Sequence, residues 1–200
     1  MNNFFKKYKI IFFILLFLIP IILIIIENKE VNNDFWFLVN TGKYIVKNDL
    51  PHIDPFTFHE GLKLVTQQWL TDIIFYFTYS NFGKYGMLSL VIIISIINEL
   101  LIYKTSYLLS KNKTLSILIS VVSMSLLRGF FVTRPQIITY TLLNLELLQL
   151  EKFIQTKEIK HLYILPIISL LEINTISLYV ISQMEIWLDT QESWKLHKKQ

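Results

Sequence analysis

The chain has 200 residues, 53% of them hydrophobic and 17% charged, with a net charge of +4 and a mean hydropathy of +0.48. A soluble domain carries about 25% charged residues, and here the apolar residues fall in long runs, so composition points to a membrane protein. The basic residues flank those runs and read as topology signals rather than as a nucleic-acid surface. With no cysteine in the sequence, disulfides, thiolate metal ligands and a cysteine nucleophile are excluded.

The first apolar run is Ile10–Ile26. As a helix it is roughly 26 Å long, close to the ~30 Å hydrocarbon core. Lys6, Lys7 and Lys9 precede it and set the N-terminus in the cytoplasm. No small-residue cleavage site follows, because Ile26-Glu27-Asn28 is a poor one, so an uncleaved span is expected rather than a signal peptide.

Residues 27–86 form a long outer loop. Phe35–Val46 has the apolar spacing of an amphipathic helix lying on the membrane. Turn signals follow at Asn48-Asp49-Leu50-Pro51 and Asp54-Pro55. Thr66 is in position to cap a second helix, Gln67–Tyr79, with Trp69, Ile73, Tyr76 and Phe77 on one face. Phe82-Gly83-Lys84-Tyr85-Gly86 then interrupts the chain.

Four more spans are expected at about 87–103, 114–131, 137–150 and 162–182, followed by a polar tail at 183–200. The predicted architecture is therefore all-α, an integral membrane domain over 1–182 with about five transmembrane helices and juxtamembrane amphipathic helices in the first outer loop. Lys104, Lys111 and Lys113, and then Lys152, Lys157 and Lys160, fall on the cytoplasmic side. The outer segment 27–72 has seven acids against four lysines. The expected location is the cell membrane, multi-pass, with the first long loop extracytoplasmic and membrane lipid as a partner.

Several residues are candidates for chemistry. Asp34 follows the first span beside aromatic residues, where a partly desolvated carboxylate can act as a general base or ligate a metal. The plainer reading makes it the N-cap of the helix starting at Phe35. His52, Asp54 and His59 form a loose cluster able to bind a divalent metal or shape a substrate site, although Asp54 before Pro55 is also a turn former. Arg128 and Arg134 flank a short outer turn, where guanidinium groups fit a lipid phosphate or pyrophosphate or simply anchor to headgroups. Glu99, Glu146 and Glu172 lie in or near spans, and acids there are functional candidates by default. Glu172, in mid-span, is the most anomalous. No phosphate-binding loop, zinc-protease motif or nucleophile elbow is present.

The ordered segments Asp34-Phe35-Trp36, Thr41-Gly42-Lys43-Tyr44-Ile45, Leu50-Pro51-His52-Ile53-Asp54-Pro55-Phe56-Thr57, Gln68-Trp69-Leu70-Thr71-Asp72 and Arg134-Pro135-Gln136 resemble the N-terminal part of bacterial polytopic C-type glycosyltransferases. That group includes mannosyltransferases and lipid A aminoarabinose transferases, and the likeness covers roughly residues 8–174. It implies sugar transfer from a polyprenyl-phosphate donor at the outer face. Asp34 matches the catalytic or acceptor-orienting acid, Arg128 and Arg134 would hold the donor phosphate, and Asp54 or His52 would shape the acceptor site. Members of that group have many more spans, and an Asn-x-His near the outer end of the fifth. Here Asn174 is followed by Thr175 and Ile176. A truncated product with a non-native tail from about residue 175 is therefore expected. The alternative function is a non-enzymatic membrane subunit or an inactive remnant.

Overall fold

The computed structural model describes residues 2–29, 33–58, 61–63, 66 and 68–175. Among these residues six α-helices carry the fold: α1 (Asn2–Glu27), α2 (Asn33–Asn48), α3 (Trp69–Ser110), α4 (Lys113–Leu127), α5 (Gln136–Thr156) and α6 (Leu165–Ile173). There is no strand among the described residues, only an isolated antiparallel bridge between Ile53 and Lys63.

The expected amphipathic helix of the outer loop is α2. It buries Phe35, Leu38, Val39 and Ile45 and exposes Trp36, Lys43 and Lys47, as a helix with one apolar face must when it rests on a partner. Its partner is the first limb of α3. The two helices come very close at Gly42: a Cβ there would stand 2.1 Å from the Asp72 carbonyl oxygen and 2.9 Å from the Tyr76 Cβ. Only glycine admits that contact. Phe35 meets Phe75 and Tyr79 edge-on or tilted, with centroids 6.5 and 5.3 Å away, a geometry favoured by the ring quadrupoles.

The break expected at residues 82–86 is a kink, not a gap. Gly83 has φ 59° and ψ −152° while helix continues on both sides, so α3 has a first limb, 69–82, and a second, 84–110. Thr66 does not cap it. The helix starts at Trp69, and its N-cap Gln68 makes no side-chain capping bond. The second limb extends beyond the expected 87–103 and ends at Lys111, whose left-handed backbone (φ 54°) turns the chain into α4. Asn112 caps α4, its Oδ1 accepting from the amides of Thr114 (3.1 Å) and Leu115 (3.2 Å).

The expected fourth span is exceeded as well, since α5 runs to Thr156. The fifth is much shorter than expected. Residues 162–164 lie in a turn and α6 has nine residues, roughly 14 Å, less than half a bilayer core. The remainder of that span, 176–182, and the polar tail 183–200 with its supposed non-native start lie outside the described residues. Among the described residues, two helical stretches, Trp69–Ser110 and Lys113–Phe130, are long and apolar enough to cross a bilayer by length and composition.

The buried core gathers Ile24 of α1, Phe35, Leu38 and Val39 of α2, Phe75, Met87 and Val91 of α3, Met124 of α4, and Phe131 and Ile137. It lies where the end of α1, α2, the kink of α3 and the 128–135 turn converge.

Candidate functional site

The turn 128–135 is a short 3-10 helix (Arg128–Phe130) followed by an irregular stretch. It is tied to the end of α1 from inside and outside. Buried Asn28 donates from Nδ2 to the carbonyls of Ile24 (2.9 Å) and Phe131 (2.8 Å). On the surface, Arg128 Nε meets Glu27 Oε1 at 3.1 Å, and its Nη1 donates to the Ser125 carbonyl. These bonds fix the base from which Arg134 projects.

Arg134 Nη2 lies 3.3 Å from Asp34 Oδ2. The two residues border one cavity of about 270 Å³ with Phe37, Leu38, Gln68, Pro135 and Gln136. Asp34 is in the first turn of α2, not at its N-cap, because the helix already begins at Asn33. A carboxylate there also faces the positive end of the helix dipole. Gln136 adds a carboxamide oxygen that is buried and accepts no hydrogen bond among the described residues, so it can receive one from a bound molecule.

The other expected site residues stand apart. Arg128 does not line this cavity; its guanidinium is engaged by Glu27. Asp54 forms a turn: Oδ1 accepts from the Phe56 amide at 2.9 Å, and its own amide donates to the Leu62 carbonyl at 2.8 Å. His52 is exposed on the same hairpin, which leans on α2 through Phe56 against Phe37 and Tyr44. Neither His52 nor Asp54 borders the cavity. His59 lies outside the described residues. Among those described, no three His, Asp or Glu side chains converge to hold a metal ion.

Two buried acids lie outside this cavity: Glu172, a candidate from the sequence, and Asp72, which was not one. Asp72 is 1% exposed on the first limb of α3, with Oδ1 accepting no hydrogen bond among the described residues. Burial pushes its pKa up from 3.8 to about 7. Next to it, Trp69 Nε1 donates to Asn174 Oδ1 (2.9 Å) and closes the start of α3 onto the end of α6. The carboxyl of Glu172 is buried as well, near that end of α6 rather than in mid-span.

No protein-family model, curated protein or solved structure matches this chain.

Proposed function

We propose that this chain is a glycosyltransferase-like membrane protein that acts on a polyprenyl-phosphate sugar at the outer face, with Asp34 as the catalytic carboxylate. The observation that carries this reading is the Asp34–Arg134 pair at the mouth of one cavity. Two residues far apart in sequence, one suited to taking a proton and the other to holding phosphate, converge there. Arg134 holds the donor phosphate with two N–H groups. The acceptor hydroxyl attacks the anomeric carbon, the sugar–phosphate bond breaks, polyprenyl phosphate leaves, and Asp34 takes the hydroxyl proton. Gln136 orients the acceptor through its unfilled carbonyl oxygen.

The same reading sets the N-terminus in the cytoplasm and the first long loop outside. It is supported by which ends of the helices meet. Glu27, Asn28, Asp34, Arg128 and Arg134 cluster at one end. At the other, Lys111 Nζ donates to Gln155 Oε1 (2.7 Å) and Gln155 Nε2 donates to the Leu108 carbonyl (2.8 Å).

A second reading, a non-enzymatic membrane subunit, is favoured by the size of the cavity. At about 270 Å³ it lies below the ~300–1,000 Å³ typical of small-molecule sites. The deciding experiment measures sugar transfer from polyprenyl-phosphate sugar donors by membranes containing the full chain or its Asp34→Asn variant. Loss of general-base catalysis lowers the rate by about 10²–10⁴-fold with insertion unchanged. Full transfer by the Asn variant removes Asp34 from the mechanism. No transfer by the wild type, together with no thermal shift on adding polyprenyl phosphate, selects the second reading.

A further inference from the structure

Away from the Asp34 cavity, α1, the second limb of α3 and α4 enclose a groove of about 490 Å³. Its walls are apolar, with Phe17 and Ile21 from α1, Ile96 and Tyr103 from α3, and Ile117 from α4, and Phe17 meets Tyr103 edge-on at 6.3 Å. Glu99 is the one charged side chain in the lining. It is fully buried, and both carboxyl oxygens lack a hydrogen-bond partner among the described residues.

The Tyr103 hydroxyl, from the same lining, makes no hydrogen bond to Glu99, and the neighbouring serine and asparagine groups are already committed. On the same helix, Ser95 donates to the Val91 carbonyl, and Asn98 donates to the Ile94 carbonyl and to Thr141 while accepting from Asn144. On α4, Ser116 donates to the Asn112 carbonyl and Ser120 to that of Ile117. None of these donors is directed at Glu99. A buried carboxyl with vacant acceptors is unfavourable, and hydrocarbon filling the groove offers it nothing. Among the described residues no donor reaches Glu99, and a molecule occupying the groove is placed to bring one.

We propose that this groove binds a long-chain ammonium, with the alkyl chain between α1 and α3 and the N–H groups on Glu99. An ammonium matches the carboxylate in charge and donates three hydrogen bonds, while the chain matches the walls. Glu99 lies eleven residues before Ser110, roughly 16 Å along the helix. A free alkylammonium reaches that depth, whereas an aminophospholipid must bring its headgroup down from the surface.

The test uses the full chain in detergent micelles and a hydrophobic carbodiimide. The carboxyl O–H adds across a C=N bond: the oxygen bonds to the central carbon and the proton goes to nitrogen. The acyl group then migrates to nitrogen, so nothing leaves and the peptide gains the whole reagent mass. Labelling at Glu99 is expected in the wild type and absent in Glu99→Gln. Ile96→Trp, which fills the groove and keeps the acid, is expected to slow it. Dodecylammonium at nine times its Kd leaves about one-tenth of the grooves empty by mass action, so labelling, counted as the whole-reagent adduct plus any dodecylamide formed at Glu99 with release of the urea, slows about tenfold, while dodecane leaves it unchanged. Protection by phosphatidylethanolamine as strong as that by dodecylammonium would make the ligand an aminolipid, still a long-chain ammonium. No labelling at Glu99, or labelling that dodecylammonium does not slow, overturns the proposal.

Discussion

Asp72 illustrates how a single buried group makes stability depend on pH. Its carboxyl is held near 7 by desolvation, against 3.8 in the ordinary state. Below 3.8 both folded and unfolded chains hold the proton, and there is no penalty. As pH rises from 3.8 to about 7 the unfolded chain releases the proton first, so folding stability falls, and above that window the loss levels off. At about 1.4 kcal/mol per unit the loss is of the order of a few kcal/mol. Thermal unfolding in detergent should therefore show the wild type less stable at pH 8 than at pH 5. Asp72→Asn, which has no charge to bury, should lose most of that difference. An identical pH response in both would remove Asp72 as its source. At this scale the sequence exposed Asp34 and Arg134 as chemical types in plausible places. It did not reveal that Asp34 lies against Arg134, or that Arg128 is engaged by Glu27 instead, because pairing across distant segments depends on how helices pack. Asp54 was legible in its plainer role, since an Asx turn is closed by a residue two positions on.

Helices followed their local signals closely where those signals are local. The apolar face of α2 was readable from spacing alone, because α2 rests on one neighbour and is exposed on the other side. The ends of α3 and α5 were not. Each closes on a lysine in the left-handed conformation, Lys111 and Lys157, where sequence reading looks for glycine. Gly83 was readable as a break but not as a kink. Its φ and ψ lie in a region essentially confined to glycine, and a Cβ there would meet nothing within 4 Å. Any penalty for Gly83→Ala is therefore backbone strain, not collision, and should be about 1–3 kcal/mol. Gly129→Ala provides the control: it also has free space, and its φ is not positive, so its effect should stay within about 0.5 kcal/mol. Equal shifts in melting temperature for the two would place the kink's cause elsewhere.

For the molecule as a whole, the proposed topology sets Lys63 and Lys113, both exposed, on opposite sides of the membrane. The absence of native cysteine makes single-cysteine variants clean reporters. In right-side-out vesicles an impermeant maleimide should label Lys63→Cys directly and Lys113→Cys only after permeabilisation. Labelling of both from outside would overturn the topology.

The sequence by itself determined that the chain is helical and built on long apolar runs, where α2 lies, and that the chain breaks at residues 82–86. These follow from composition, periodicity and backbone preference, which act over a few residues. Only the tertiary structure decided that α6 is short, that Gly42 lets α2 touch the Asp72 carbonyl, that Asp34 meets Arg134, and that Glu99 is buried in the lining of an apolar groove without a donor among the described residues. Each depends on which distant helix fills the space beside a residue, and that is set by packing of the whole bundle.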